Sequence, residues 1–251
     1  MTTIESTRSA ADAAFAGTVA VVTGASRGIG YTVARELARA GSHVVALART
    51  QGGLEELDDE VRGFGGGATL VPIDLRDFDA LDRLGAALFE RWGRVDMLVG
   101  NAGVLGPISP VGHVAPKDWD EVMAVNVTAN WRLIRSLDPL LRASPAGRAL
   151  FITSGAVLKR RAFWGPYSVS KAALEALVVT YAREVAISPV KVNLFNPGPI
   201  RTAMRARALP GEDPDTLQRA EVLVPDIFAA LSPALSETGR VYDFPTKCWR
   251  D

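Results

Sequence analysis

The chain has 251 residues, 48% of them hydrophobic, which suits one fairly large domain with its own core. Its 28 basic and 28 acidic residues cancel and form no long run of either sign, so nothing favours nucleic acid or an anionic membrane surface as a partner. One cysteine, Cys248, and two histidines exclude an internal disulfide and make a metal site unexpected, so we expect a cytoplasmic protein without a bound metal.

The N-terminal segment is rich in Ala, Ser and Thr, with acidic residues interspersed and no hydrophobic block. It therefore does not have the pattern of a signal peptide. We expect a flexible tail over residues 1–16 and a single folded domain over residues 17–251. No apolar run reaches the ~18 residues of a membrane-spanning helix, so no membrane partner is expected.

Short apolar runs rich in β-branched residues alternate with helical patterns through the rest of the chain. The runs that predict strands are 18–23, 43–48, 68–73, 95–99, 148–153 and 190–195, and a seventh is allowed at 240–244. The patterns that predict helices cover about 31–40, 51–62, 77–92, 116–142 and 165–186. This alternation predicts an α/β fold: a single-domain, doubly wound parallel sheet of six to seven strands with helices on both faces. Pro72 cannot donate to a ladder, which predicts that its strand is irregular or lies near an edge.

Three glycines connect the first predicted strand to the first predicted helix. Gly24, Gly28 and Gly30 have the spacing G-x-x-x-G-x-G. Glycines allow a tight turn and a close approach of backbone to a pyrophosphate, whose negative charge is favoured at a helix N-terminus. A glycine triplet by itself can be only a tight connection. The flanking strand and helix favour a dinucleotide site.

A phenol and an amine lie four residues apart on a predicted helix, at Tyr167 and Lys171. Positions i and i+4 share one helical face, so both groups can reach one site. A free phenol loses its proton near pH ~10, and a nearby cation lowers that pKa toward the range of a general acid or base. Such a pair also occurs by chance on many helices. Its meaning depends on a cofactor and on an orienting partner elsewhere in the chain.

The ordered set of motifs resembles the short-chain dehydrogenase/reductase family. The motifs are Thr23–Gly30, Asp74-Leu75, Asn101-Ala102-Gly103, Asn126, Ser154, Tyr167-x-x-x-Lys171 and Asn196-Pro197-Gly198. They extend over about residues 17–244, with twelve residues between Ser154 and Tyr167. Residues 164–204 resemble an uncharacterised bacterial oxidoreductase branch of the family. Two features depart from the family pattern: Gly100 stands where an Asn is usual, and the C-terminus lacks an Asp-Gly-Gly ending.

The resemblance implies an NAD(P)-dependent oxidoreductase that transfers a hydride between nicotinamide and a carbonyl or secondary alcohol. In it, Tyr167 would exchange the proton, Ser154 would hold the substrate oxygen, and Lys171 would lower the pKa of Tyr167 and bind the nicotinamide ribose. Asn126 would hold a water that links Lys171 to solvent. The residues assigned to the cofactor are Gly24, Ser26, Arg27, Gly28, Ile29, Gly30, Arg49, Asp74, Leu75, Asn101, Ala102, Gly103, Tyr167, Lys171, Pro197, Gly198, Ile200 and Thr202.

The end of the second predicted strand bears on the choice between NAD and NADP. An acidic residue there would bind the adenosine ribose hydroxyls, whereas this chain has Ala48 followed by Arg49. Arg27 in the glycine turn is a second cation, and two guanidiniums can bind a 2′-phosphate through charge-assisted hydrogen bonds. The alternative is that both arginines are solvated surface charges. The pattern favours NADP(H) over NAD(H).

The substrate cannot be named from the sequence. Apolar residues that would surround Tyr167 predict an apolar pocket, or equally a core or interface: Leu158, Phe163, Trp164, Val104 and Leu105. The run Lys159–Arg161 can attract an acidic substrate or simply form a solvated loop. The segment after Pro199, with its turn residues, predicts a lid over the pocket.

Two further expectations concern assembly and an alternative role. By the resemblance, two helices, at about 116–142 and 165–186, would pair copies of the chain into a homodimer or homotetramer. The alternative function is a catalytically silent NADP-binding sensor or scaffold of the same fold. The presence of Asn126, Ser154, Tyr167 and Lys171 together argues against it, because a silent relative has no chemical need for all four.

Overall fold

Eight strands form one sheet in residues 15–251, the part of the chain that the computed structural model describes. The strands are β1 (Val19–Thr23), β2 (His43–Ala48), β3 (Gly67–Pro72), β4 (Met97–Gly100), β5 (Arg148–Ile152), β6 (Lys191–Asn196), β7 (Val241–Asp243) and β8 (Cys248–Arg250). Their order across the sheet is β3-β2-β1-β4-β5-β6-β7-β8. Strands β1 to β7 are parallel, and β8 is antiparallel to β7. The predicted α/β, doubly wound architecture is confirmed.

Nine α-helices connect and cover the strands. They are α1 (Gly28–Arg39), α2 (Gln51–Gly63), α3 (Phe78–Trp92), α4 (Pro116–Met123), α5 (Ala129–Ala143), α6 (Ala156–Lys159), α7 (Gly165–Glu184), α8 (Ala203–Ala208) and α9 (Val224–Leu231) within residues 15–251. Helices α1, α2 and α9 pack on one face of the sheet, and α3, α5 and α7 pack on the other.

The alternation of side chains along each strand divides the core into two layers. In β1, Ala20 and Val22 pack toward α1 and α2, while Val19 and Val21 pack toward α3 and α5. Since a strand points successive side chains to opposite faces, a strand covered on both faces is apolar throughout. This explains why the central strands are continuous β-branched runs rather than alternating patterns.

The direction of winding reverses between β1 and β4, which are neighbours in the sheet. From β1 the chain builds outward to β3, and from β4 it builds the other way to β7. In such a sheet, ligands bind at this reversal, beyond the carboxyl ends of the strands. The turns that follow Thr23 and Gly100 both start at this place.

Two details go beyond the sequence prediction or differ from it, and a third agrees with it. The sheet has an eighth strand, the antiparallel β8, beyond the six to seven expected. The predicted helix at 116–142 is interrupted between α4 and α5 by a π-helical turn, Ala124–Thr128. Pro72 ends β3, which is an edge strand, in agreement with the expectation for a proline.

The predicted tail lies mostly outside the described residues, which begin at Phe15. Phe15 is buried, and its ring packs edge-on against Phe228 of α9 at 5.0 Å between centroids. Its backbone N–H donates to the carbonyl of Ala40. Phe15 is therefore part of the domain core, two residues before the expected domain start. Across residues 15–251, none of the helices has the length and apolar character needed to cross a membrane.

Candidate active site

The glycine turn after β1 leaves no room for side chains at two of its positions. Gly24 has φ +67°, and a Cβ on it would lie 2.9 Å from Nδ2 of Asn101. A Cβ on Gly30 would lie only 2.4 Å from the carbonyl oxygen of Gly24. Within residues 15–251, no side chain caps the N-terminus of α1: its N-cap residue is Arg27, which has no acceptor atom, and the first turn has no acidic residue. The positive end of α1 is therefore open to an anion.

Thr23 joins this turn to the one that follows β4. Its Oγ1 accepts hydrogen bonds from the backbone N–H groups of Asn101 and Ala102, both at 3.0 Å. The Asn101 side chain donates in return to the carbonyl of Thr23 at 2.9 Å. These bonds hold the Asn101-Ala102-Gly103 segment against the glycine turn. The two predicted cofactor segments thus form one surface.

We expect Gly30→Ala to disrupt this surface, because the added methyl group meets backbone atoms that cannot move independently. The overpacking should destabilise the protein by about 1–3 kcal/mol, a fall of roughly 3–10 °C in Tm, and weaken NADPH binding at least about tenfold. Gly63→Ala is the matched control, because no described atom lies within 4 Å of a Cβ there. Calorimetry and fluorescence titration provide the measurements. Equal Tm values for the two variants would show that the turn tolerates a side chain.

Arg27 and Arg49 are both exposed, and within residues 15–251 neither forms an ion pair. Asp74, beyond the end of β3, accepts from Nε and Nη2 of Arg76 at 3.1 and 2.7 Å. This hydrogen bonding lowers the pKa of Asp74, and the charge of Arg49 lowers it further. Arg49 therefore lies close enough to Asp74 for the two to interact. Because Arg76 already neutralises Asp74, the carboxylate does not dominate the charge around Arg49.

The segment after β6 reaches the glycine turn from the other side. Gly198 has φ +69°, and a Cβ there would lie 2.6 Å from Pro245. Thr202 caps α8, its Oγ1 accepting from the N–H of Arg205 at 3.1 Å, and its methyl group lies 3.5 Å from the Cβ position of Gly28. Three further residues assigned to the cofactor are buried: Leu75, Pro197 and Ile200. The second half of the sheet thus contributes Thr202 to the same site.

The carboxyl end of β5 and helix α7 bring the predicted catalytic groups together. Lys171 Nζ is buried, donates to the carbonyl of Ile152 at 2.8 Å, and lies 5.9 Å from the centroid of the Tyr167 ring. Ser154, two residues past Ile152, interacts with the Tyr167 hydroxyl. Lys171 is thus bonded to the last residue of β5, and Ser154 lies in the short segment that follows this strand.

Asn126 lies in the π-helical turn between α4 and α5 and is completely buried. Its Nδ2 donates to the Val104 carbonyl and to Ser170 Oγ, both at 2.9 Å, and its Oδ1 accepts from the Val104 N–H at 2.8 Å. The turn thereby connects the segment after β4 to α7. A Cβ on Gly103 would lie 3.2 Å from Asn126 Oδ1 and 3.5 Å from Lys171 Nζ, so both side chains approach one point. A water held by Asn126 stays a prediction.

Burial controls the protonation of the catalytic pair. It raises the pKa of the Tyr167 phenol, and the interaction with Ser154 opposes this rise. The structure therefore does not show the expected lowering of this pKa by Lys171: the loss of water around the phenol is the larger effect, and Ser154 is the group that opposes it. Burial lowers the pKa of Lys171 to about 8, while the charge of Glu175 raises it.

The segment predicted to be a lid covers Tyr167. Buried Leu105, Tyr167 and Ala208 form a small apolar cluster apart from the two main cores. The partly buried residues around it are Ala156, Trp164, Met204 and Leu209. Of the predicted pocket residues, Leu105 belongs to this cluster and Trp164 packs against it, whereas Leu158 and Phe163 are 59% and 53% exposed. The run Lys159–Arg161 is also exposed.

The family model for short chain dehydrogenases matches residues 18–213. This range includes all the motifs described above, and β7 and β8 lie beyond it. The chain belongs to the short-chain dehydrogenase family. The uncharacterized oxidoreductase YciK of Escherichia coli (strain K12) is 35% identical over 210 residues, which cover 82% of this chain and 83% of that protein.

Solved structures of other short-chain dehydrogenases share the fold. One from Pseudomonas syringae has a TM-score of 0.89 and 35% identity, with 92% of this chain and 96% of that chain covered. One from Escherichia coli CFT073, in complex with NADPH, has a TM-score of 0.87 and 33% identity, with 92% and 98% covered.

Two site residues of this short-chain dehydrogenase escaped the sequence prediction of the site. Thr23 was part of a motif but had no assigned role; its position at the end of a strand was the only signal. Asn196 accepts from the N–H groups of Gly155 and Gly198 at 3.0 and 3.2 Å, which connects the segments after β5 and β6. Asn196, like Thr23, was part of a motif without an assigned role, and its position at the end of a predicted strand was the signal available.

Proposed function

We propose that this protein is an NADP(H)-dependent oxidoreductase that interconverts carbonyl compounds and alcohols. The observation that carries the proposal is the convergence of Ser154, Tyr167 and Lys171 at the end of β5. The open end of α1 lies at the same edge of the sheet. Membership of the short-chain dehydrogenase family supports this chemistry.

The residues around the glycine turn fit a dinucleotide. Gly24 and Gly30 lack the side chains that would block a pyrophosphate, and the open N-terminus of α1 supplies N–H donors. Arg27 and Arg49, which are exposed and free of ion pairs within residues 15–251, would hold a 2′-phosphate. The similar Escherichia coli CFT073 protein in complex with NADPH supports the choice of NADP(H). When bound, NADPH supplies the hydride.

The chain's own groups would control the substrate oxygen and its proton. Ser154 would donate a hydrogen bond to the carbonyl oxygen, and Tyr167 would deliver a proton to that oxygen as it gains negative charge. The Lys171 ammonium would stabilise the phenolate that results. The apolar contacts of Ala208 and Leu105 with Tyr167 would exclude water from the reacting groups.

The protonation states of Tyr167 and Lys171 in the free protein suit the reduction of a carbonyl substrate. Because burial raises the pKa of Tyr167, the phenol carries its proton at neutral pH. Because the pKa of Lys171 is about 8, its ammonium is present below that pH and is lost above it. We therefore expect carbonyl reduction to decline as the pH rises through about 8.

The test of the proposed function is a panel of aldehydes, ketones and alcohols with both NADPH and NADH, followed by absorbance of the reduced nicotinamide. Reduction of carbonyls with NADPH, absent in Tyr167→Phe, is the expected outcome. Tight NADPH binding with no turnover across the panel would contradict the proposal and favour a sensor or scaffold.

The proposed partners are a small carbonyl or alcohol substrate and further copies of the chain. Helices α5 and α7 present a groove of about 430 Å³ that includes Trp131, which is 43% exposed, and Leu177. We propose that this groove pairs two copies in a homodimer or homotetramer, as expected from the family. A cytoplasmic location remains a prediction from the single cysteine.

We expect Trp131→Glu to shift the assembly toward monomers, because a charge buried between two copies has no partner to offset its desolvation. Light scattering coupled to size exclusion measures the mass. Phe89→Glu is the matched control: Phe89 is 63% exposed on α3 and does not line the groove. A wild-type protein that is already a monomer would contradict the proposed pairing.

A further inference from the structure

Three consecutive residues, Ile152, Thr153 and Ser154, each contact one side chain of α7, and these side chains lie on successive turns of the helix. Ser154 interacts with Tyr167, the Ile152 carbonyl accepts from Lys171 Nζ at 2.8 Å, and between them Thr153 Oγ1 donates to a third group at 2.7 Å. That third group is the carboxylate of Glu175. Tyr167, Lys171 and Glu175 are spaced i, i+4 and i+8, so they lie on one face of the helix.

The C-terminal strand supplies the fourth member of this arrangement. Arg250 Nη2 of β8 donates to the same Glu175 oxygen that accepts from Thr153, at a distance of 3.1 Å. The side chains of Glu175 and Arg250 are 14% and 25% exposed. Arg250 Nε is buried without a hydrogen-bond partner in the described part of the chain. The ion pair therefore lies in a largely dry environment, where charges act more strongly than at the surface.

We propose that Glu175, held between Thr153 and Arg250, is a positioning residue that sets the charge on Lys171, and that β8 thereby takes part in tuning the catalytic pair. This goes beyond the roles of Asn126, Ser154, Tyr167 and Lys171 in the proposed function. It also gives a role to the C-terminal end, which departs from the Asp-Gly-Gly ending of many relatives.

The surroundings of Lys171 single out Glu175. Burial disfavours the ammonium of Lys171, and the charge of Glu175 is what opposes that effect. The other groups near the amine are the neutral phenol of Tyr167, the Ile152 carbonyl and the amide of Asn126. Arg250 faces Glu175 from β8 and partly offsets its negative charge. Removal of Glu175 and removal of Arg250 should therefore act on Lys171 in opposite directions.

The test is a pH titration of the full-length protein by NMR, with lysine labelled at ¹³Cε and the Lys171 signal assigned by its loss in Lys171→Arg. In the wild type the midpoint should lie near pH 8. In Glu175→Gln, which keeps the hydrogen-bonding shape, it should fall by about one pH unit. In Arg250→Gln it should rise. Glu175→Asp, which keeps the charge, should restore most of the wild-type midpoint.

Glu184→Gln is the matched control, since it removes a carboxylate from the exposed end of the same helix and should leave the midpoint unchanged. A midpoint in Glu175→Gln within about 0.2 units of wild type, or an equal fall in Glu184→Gln, overturns the inference. If Glu175→Gln does not fold, the direction of the change in Arg250→Gln decides, and a fall or no change there overturns it.

The effect of Glu175 on turnover rests on the proposed function, whereas its effect on the titration of Lys171 can be measured without it. In reduction assays, the loss of activity at high pH should move down by about one unit in Glu175→Gln. A wild-type protein without turnover would remove the proposed function while the titration still decides the role of Glu175. A wild-type protein with turnover and an unmoved Lys171 midpoint would remove only the inference.

Discussion

We expect Tyr167→Phe to lower the turnover of carbonyl substrates by about 10³-fold and to change NADPH affinity by no more than about twofold. The substitution removes only the hydroxyl that would deliver the proton. The ring keeps its apolar contacts with Leu105 and Ala208 and its edge-on packing with Trp164 at 6.1 Å. Steady-state rates and a fluorescence titration with NADPH provide the measurements.

The control for this variant is Tyr181→Phe, on the same helix. Tyr181 is also buried, and its hydroxyl donates to Asp138 at 2.7 Å, away from the end of β5. Removal of this hydroxyl should cost about 1 kcal/mol of stability and leave turnover unchanged. A Tyr167→Phe protein with turnover within about tenfold of wild type would contradict the role of the phenol, whatever the stability of either variant.

The double variant Arg27→Gln, Arg49→Gln should weaken NADPH binding by about 100-fold and NADH binding by no more than about threefold. A charge-assisted hydrogen bond to a phosphate is worth about 1.5–3 kcal/mol, so each arginine should contribute about tenfold or more. Both guanidiniums are exposed and, within residues 15–251, without an ion-pair partner, so neither substitution breaks an existing pair.

Arg83→Gln controls for the loss of positive charge as such, because Arg83 is exposed on α3, on the opposite face of the sheet from α1 and α2. It should change neither affinity. Dissociation constants for both nucleotides should be measured at fixed ionic strength, since screening weakens exposed charges. Equal losses for NADPH and NADH in the double variant would mean that the arginines do not recognise a 2′-phosphate.

The central strands β1, β2, β4, β5 and β6 could be predicted from the sequence because they are buried on both faces. Continuous β-branched runs separated by long amphipathic helices have one stable arrangement, and β1 to β7 follow it. Strand β8 has only three residues, Cys248–Arg250, and forms because β7 offers it an edge. So short a strand has no detectable period. The π-helical turn at Asn126 was equally hidden, because its sequence, Ala124–Thr128, differs little from that of an ordinary helix.

Within the site, the contacts that depend on local spacing could be predicted from the sequence, and the contacts between distant parts of the chain could not. The i, i+4 spacing predicted that Tyr167 and Lys171 share a face, and strand ends predicted the positions of Ser154 and the glycine turn. The pairing of Glu175 with Arg250 joins residues 75 positions apart and depends on how β7 and β8 pack. The raised pKa of Tyr167 likewise depends on its burial beneath α8. The spacing of residues along the sequence does not reveal this burial.

The most direct test of the account is the fate of the hydride itself. The protein should be incubated with NADPH deuterated on both faces at C4 and with a panel of aldehydes and ketones, and the products analysed by mass spectrometry and NMR. We expect an alcohol that carries one deuterium on the former carbonyl carbon, with none formed by Tyr167→Phe above background. Tight NADPH binding without deuterium transfer to any carbonyl would contradict it.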